Sequence, residues 1–154
     1  MGPADVVRVL SIGAQGDDDS ALQQLFKQSP WELCPGFHWT LENCGGVTAA
    51  MMLWQDRRVP ILLCSADMES GSWRDLLAWR HVVECPPRVI VTARQADERL
   101  WAEALNLGAY DLLPTPFNAN EVIRTLSHAF LSGEGCIDRK GRAQAGKCAR
   151  GTAG

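Results

Sequence analysis

The feature that most constrains this chain is residues 87–117, PRVIVTARQADERLWAEALNLGAYDLLPTPF. Val89-Ile90-Val91 is a β-branched run with no polar alternation, which suits a strand covered on both faces. Asp97 and Glu98 favour the positive end of a helix dipole, and Gly108 stands where a left-handed C-terminal residue is wanted. Leu100, Ala104 and Leu107 recur at helical spacing between them, so this helix turns an apolar stripe to the core, with Trp101 expected to pack on the sheet as well. Tyr110 to Leu113 reads as a second strand, stopped by Pro114 and Pro116. Strand, helix and strand in so short a stretch form one parallel βαβ unit with a right-handed crossover.

Similar units fill the rest of the chain. Val6 to Ile12 reads as a strand, followed by a loop at Gly13-Ala14-Gln15-Gly16 and by Asp17-Asp18-Asp19-Ser20, which can start a helix. Leu22, Leu25 and Phe26 supply that helix's inner face, and Ser29-Pro30 ends it. Trp31 to Cys34 is expected as a short edge strand, and Thr40 to Gln55 as a helix that frays at Gly45-Gly46. Val59 to Cys64 is apolar throughout and therefore a central strand. A loop over Met68 to Ser72 leads to a helix from Trp73 to about Val82. A last helix, capped by Asn118 or Asn120, carries Val122, Leu126, Ala129 and Phe130 on one side. Five strands alternating with five helices imply an α/β sandwich around a parallel sheet.

Hydrophobic content of 46% and charged content of 21% are those of a globular domain, and 154 residues suit one such domain. No apolar run approaches the roughly 20 residues of a membrane span, and MGPADVVRVL lacks a signal-peptide pattern. The formal charge of −3 is unevenly spread. Residues 1–132 hold 10 Lys and Arg against 16 Asp and Glu, whereas residues 133–154 hold 5 against 2. The first segment is expected to form the domain and the second a disordered basic tail, a solvated linker rather than a nucleic-acid contact. The six cysteines include no CxxC pair and His38, His81 and His128 are scattered. Reduced thiols in a cytoplasmic protein, without zinc, are therefore expected.

Residues 87–117 resemble the C-terminal half of a response-regulator receiver domain of two-component signalling. The resemblance rests on Thr92-Ala93, on Gly108-Ala109 and, imperfectly, on Thr115-Pro116-Phe117, where the family carries Lys-Pro-Phe. It extends over residues 6–131 and implies a flavodoxin-like fold of strand order 2-1-3-4-5, with a ligand crevice at the carboxyl ends of strands 1 and 3. It also implies a cis peptide between Thr115 and Pro116. In such a domain, two acidic residues after strand 1 help hold Mg²⁺, and an aspartate ending strand 3 accepts a phosphoryl group. A strand-4 Thr or Ser and a strand-5 Lys then bind the phosphoryl oxygens.

Against that pattern, Ser65 falls at the acceptor position, Thr115 at the Lys position and Leu112 at the aromatic position of strand 5. Thr92 alone keeps the family's residue type, beside the shared Pro116. The reading is a pseudo-receiver, a phosphorylation-independent interaction module with no cofactor and no catalytic residue. An alternative is a shifted site that uses Asp67 as acceptor and holds Mg²⁺ with Asp17 and Asp18. The acidic pair counts to Gly13-Ala14 from the strand or to Asp17-Asp18 from the helix, and both counts stand; as helix residues, Asp17 to Asp19 complement the dipole. A small α/β enzyme built on Cys64 is a further alternative. The resemblance places the partner surface on the fourth helix, fifth strand and fifth helix, where Arg99, Glu103, Asn106, Arg124 and His128 are the polar candidates. The expected partner is another signalling protein, with a second copy of the chain as an alternative, and neither a membrane nor a nucleic acid is expected. Removing residues 133–154 should leave the thermal midpoint unchanged; a drop of several degrees in a calorimetric scan would show that they dock on the domain.

Overall fold

In the computed structural model the described residues are 5–13, 16–28, 37–57, 59–67 and 73–132. They form β1 (Asp5–Ile12), α1 (Gly16–Gln28), β2 (Phe37–Cys44), α2 (Val47–Arg57) and β3 (Ile61–Ser65), then α3 (Trp73–Arg80), β4 (Arg88–Ala93), α4 (Glu98–Leu107), β5 (Asp111–Pro114) and α5 (Ala119–Ser132). All neighbouring strands run parallel, in the order β2-β1-β3-β4-β5. The Thr115-Pro116 peptide is cis.

The sheet divides the core into two layers, and strand periodicity assigns side chains to them. Leu10, Ile12, Leu62, Cys64, Val89, Val91 and Leu112 pack with α2, α3 and α4. Val7, Val9, Ile61, Leu63, Ile90 and Leu113 pack with α1 and α5. Each central strand is thus apolar on both faces, which is why its sequence reads as a continuous hydrophobic run. Two edge-to-face aromatic pairs pin the outer layers. Trp54 of α2 meets Trp79 of α3 at 5.1 Å, and Trp39 of β2 meets Phe130 of α5 at 5.7 Å.

The expectation for strand 2 requires correction. Trp31 to Cys34 lies outside the described residues, and β2 is instead Phe37–Cys44, so Thr40 to Cys44 is extended rather than helical. Trp39 and Leu41, both packed in the α1/α5 layer, alternate with polar His38, Thr40 and Glu42, a period of two. The strand pairs residue for residue with β1, from Asp5↔Phe37 to Ile12↔Cys44, and so satisfies that strand's outer backbone groups. Gly45-Gly46 lies between strand and helix, and α2 begins only at Val47. Likewise α1 begins at Gly16, so Asp17 to Asp19 occupy its first turn rather than its cap.

Helix α4 follows its sequence signals at both ends. The Asp97 carboxylate accepts from Leu100 N–H at 2.9 Å, and Gly108 closes the helix in the left-handed region at φ 112°. His81 Nε2 lies 2.9 Å from Leu107 O, and Arg80 Nη1 donates to Gly108 O at 3.2 Å, so side chains of α3 and its following turn cover the last carbonyls. Trp101 and Leu105, however, are 43% and 45% exposed and do not lie on the sheet. The helix docks along Leu100 and Ala104, and Trp101 is turned about 100° away from Leu100.

Gly108 needs its positive φ, and a Cβ there would stand 2.8 Å from His81 Nε2. Gly108→Ala should therefore lower stability by about 1–2 kcal/mol in urea unfolding. Gly45→Ala, with open space around the added carbon, should leave the midpoint unchanged or slightly raised.

Candidate functional site at the strand ends

The order of connections reverses between β1 and β3, so the loops at their carboxyl ends part and leave a crevice. The opening is a cleft of about 120 Å³ lined by Gly13, Asp18, Ser65, Asp67, Thr92, Arg94 and Phe117. Gly13 immediately follows β1, with φ 82°. Asp18 reaches the cleft from the first turn of α1. Ser65 is the last residue of β3 and pairs in register with Thr92, which is buried at 7% exposure.

After Ser65 the chain does not continue as a strand. Ala66 N–H donates to Thr92 O at 2.7 Å, and Asp67 N–H donates to Ser65 Oγ at 3.0 Å. Asp67 thus reaches the cleft from a turn, not from the extended geometry that its two-residue spacing from Ser65 suggests. Its Oδ2 accepts from the Arg94 backbone N–H at 3.0 Å. The Arg94 side chain meets Asp18 at 3.9 Å, Nε to Oδ2. Two carboxylates, one from the first turn of α1 and one from the turn after β3, therefore converge on the residue that follows β4. Arg94 and Phe117 were not among the sequence candidates; their positions just past Ala93 and Pro116 were the available signal.

Asp17, Leu112 and Cys64 lie apart from the cleft. Asp17 is exposed on α1, so it does not join Asp18 and Asp67. Ala14 lies outside the described residues, while Gly13 and Asp18, one from each count of the acidic pair, both line the cleft. Leu112 is buried at 2% exposure in the core. Thr115 N–H donates to Ala93 O at 2.9 Å, and this residue and Pro116 precede Phe117 at the rim. Cys64 points into the α2/α3/α4 layer with no exposed surface, and burial pushes its thiol up to about 12. It therefore offers no thiolate to a substrate near neutral pH, against the alternative of a Cys64 enzyme.

Magnesium requires near-octahedral oxygen ligation and usually one or two free carboxylates. Among the described residues no group of three or more His, Cys, Asp and Glu could hold a metal ion. In the cleft, Asp67 is engaged by a backbone amide and Asp18 faces a guanidinium. With a guanidinium against one of its two carboxylates and an amide on the other, the cleft disfavours the divalent ion that the resemblance implies.

On α4, Arg99 and Asn106 are exposed, as are Arg124 and His128 on α5. Glu103 is placed differently from the expectation. It turns toward α3, where Arg74 binds both its oxygens, with Nη2 to Oε1 at 3.0 Å. Those hydrogen bonds hold its carboxyl below the ordinary value. Helical spacing sets Trp101 and Leu105 about 160° around from Glu103, on the flank turned away from α3.

No protein-family model and no curated protein matches the sequence. Solved structures do match its fold. The signal receiver domain of an HD domain-containing protein from Pseudomonas fluorescens Pf-5 superposes with a TM-score of 0.68 at 24% identity, over 83% of this chain and 97% of its own. A response regulator receiver protein from Pseudoalteromonas atlantica gives 0.62 at 17% identity, over 81% and 98%. A chain assigned to pilus assembly as CpaE2, from Sinorhizobium meliloti 1021, gives 0.59 at 18% identity, over 80% and 100%. The architecture is that of receiver domains. No helix among the described residues is long and apolar enough to cross a membrane.

The raised Cys64 pKa gives stability a definite pH dependence. The thiol is protonated in both states below the unfolded value of 9.0, and the folded state resists ionisation until about 12. Stability should thus be full below pH 9, fall as pH rises between these values and level off above them. One pKa unit corresponds to about 1.4 kcal/mol, so the loss is bounded near 4 kcal/mol. Urea midpoints from pH 8 to 11 should fall more steeply for the wild type than for Cys64→Ala; parallel curves would refute the assignment.

Proposed function

We propose that this protein is a receiver-like module of cytoplasmic two-component signalling that binds another signalling protein without being phosphorylated itself. The observation that carries the reading is Ser65 at the end of β3, in register with Thr92 and at the mouth of the crevice. A serine hydroxyl cannot form an acyl phosphate and gives a metal no carboxylate. Thr115 also supplies no cation at the end of β5, and a charge-assisted hydrogen bond of the kind a lysine would make is worth roughly 1.5–3 kcal/mol.

The docking surface in this reading comprises α4, β5 and α5. Its apolar anchors are Trp101 and Leu105, which α4 leaves exposed beside the short edge strand β5. Arg99, Asn106, Arg124 and His128 supply its polar contacts. Glu103 is excluded, because it is engaged with Arg74 on the other flank.

The presence of Asp67 and Asp18 in the crevice favours one competing reading, phosphorylation at Asp67. Its hydrogen bond from the Arg94 amide, which engages Oδ2, argues against it. Incubation with Mg²⁺ and acetyl phosphate should leave the intact mass unchanged; a stoichiometric phosphoryl adduct abolished by Asp67→Asn would overturn the proposal. For the surface, Trp101→Ala should weaken capture of the partner from native extract by about tenfold, equivalent to about 1.4 kcal/mol, with the fold intact by circular dichroism. Retained capture would exclude Trp101 as an anchor.

A further inference from the structure

We propose that Arg94 is the resident cation of the crevice, its guanidinium facing Asp18 and its backbone amide holding Asp67, in place of a metal ion. The inference rests on the reading of a crevice without phosphoryl chemistry and assigns that state to one residue. Arg94 is held at two points: its backbone N–H donates to Asp67 Oδ2 at 3.0 Å, and its Nε lies 3.9 Å from Asp18 Oδ2. Asp18 comes from α1, Asp67 from the turn after β3, and Arg94 follows the last residue of β4. Three chain segments that converge at the cleft are therefore linked at Arg94, which meets Asp67 through its backbone amide and Asp18 through its guanidinium. Among the described residues lining the cleft, Arg94 alone carries a positive charge against the two carboxylates.

A divalent ion approaching Asp18 and Asp67 meets the guanidinium already beside one carboxylate and the amide on the other. The Asp67 backbone is further fixed by its own N–H on Ser65 Oγ, while its carboxylate is engaged through Oδ2 by the Arg94 amide. The hydroxyls of Ser65 and Thr92 are neutral and offer no compensating charge. The crevice thus excludes metal by occupation, although two carboxylates remain within it. The same contacts hold the start of the segment leading through Asp97 into α4, with no ligand required.

The test uses Mn²⁺ alone as probe, titrated into ¹⁵N-labelled full-length protein while the amide signals of Gly13 and Asp67 are followed. The wild type should show no selective broadening of these signals at equimolar Mn²⁺. Arg94→Ala, at an exposed side chain, should fold normally and gain Mn²⁺ affinity by roughly tenfold or more, with broadening confined to the crevice. Asp18→Asn added to Arg94→Ala should abolish the gain, and Arg94→Lys should behave as the wild type. Equal broadening of wild type and Arg94→Ala would overturn the inference, as would a folded Arg94→Ala that stays unbroadened. The two proposals fail separately. Mn²⁺ binding by the wild type without an acetyl-phosphate adduct sinks only the role of Arg94, whereas an adduct on the wild type sinks the unphosphorylated reading.

Discussion

The sheet is covered on both faces, and most of the structure follows from that burial. A strand between two helical layers exposes neither side to water, so β1, β3, β4 and β5 each send alternate apolar residues into the α2/α3/α4 layer and the α1/α5 layer. Among these strands β3 carries no charged residue, β4 and β5 carry one only at their first position, and Arg8 of β1 is exposed. Polar chemistry is thereby confined to the strand ends, where the chain turns back through loops. Cys64 and Ser65 show the consequence within two residues. The first is sealed in the core with a thiol that resists ionisation, and the second opens on the crevice.

At the strand ends, electrostatics rather than packing sets the arrangement. Asp18, Asp67 and Arg94 approach from separate segments, and none is deeply buried. Each interaction is individually weak, since exposed ion pairs contribute about 0–1 kcal/mol. The contribution of these residues is to geometry and local charge more than to overall stability.

Helix α4 links the two regimes. Its amino end continues from the segment that begins at Arg94, its carboxyl end is covered by Arg80 and His81, and its inner line of Leu100 and Ala104 rests on the sheet. A small alanine at the contact lets the helix pack closely while Trp101 and Leu105 project outward. In the proposed function this flank, with an exposed tryptophan beside an edge strand, is the one that meets another protein.

The sequence by itself determined the parallel α/β architecture, the α4 boundaries and the central strands. These depend on local signals that agree with the burial each segment meets: β-branched runs, an Asp cap and a glycine in positive φ. It did not determine β2, because the alternation from Phe37 to Leu41 is short and next to a glycine pair, and only the open edge of β1 makes that segment extended. It also placed Ser65, Asp67 and Asp18 without showing which would meet. Their meeting through Arg94 depends on a turn after β3 and on the first turn of α1, whose geometry comes from contacts distant in sequence. The outward turn of Trp101 was likewise a tertiary outcome, because composition marks a tryptophan as apolar, while the docking angle of the helix decides which flank it occupies.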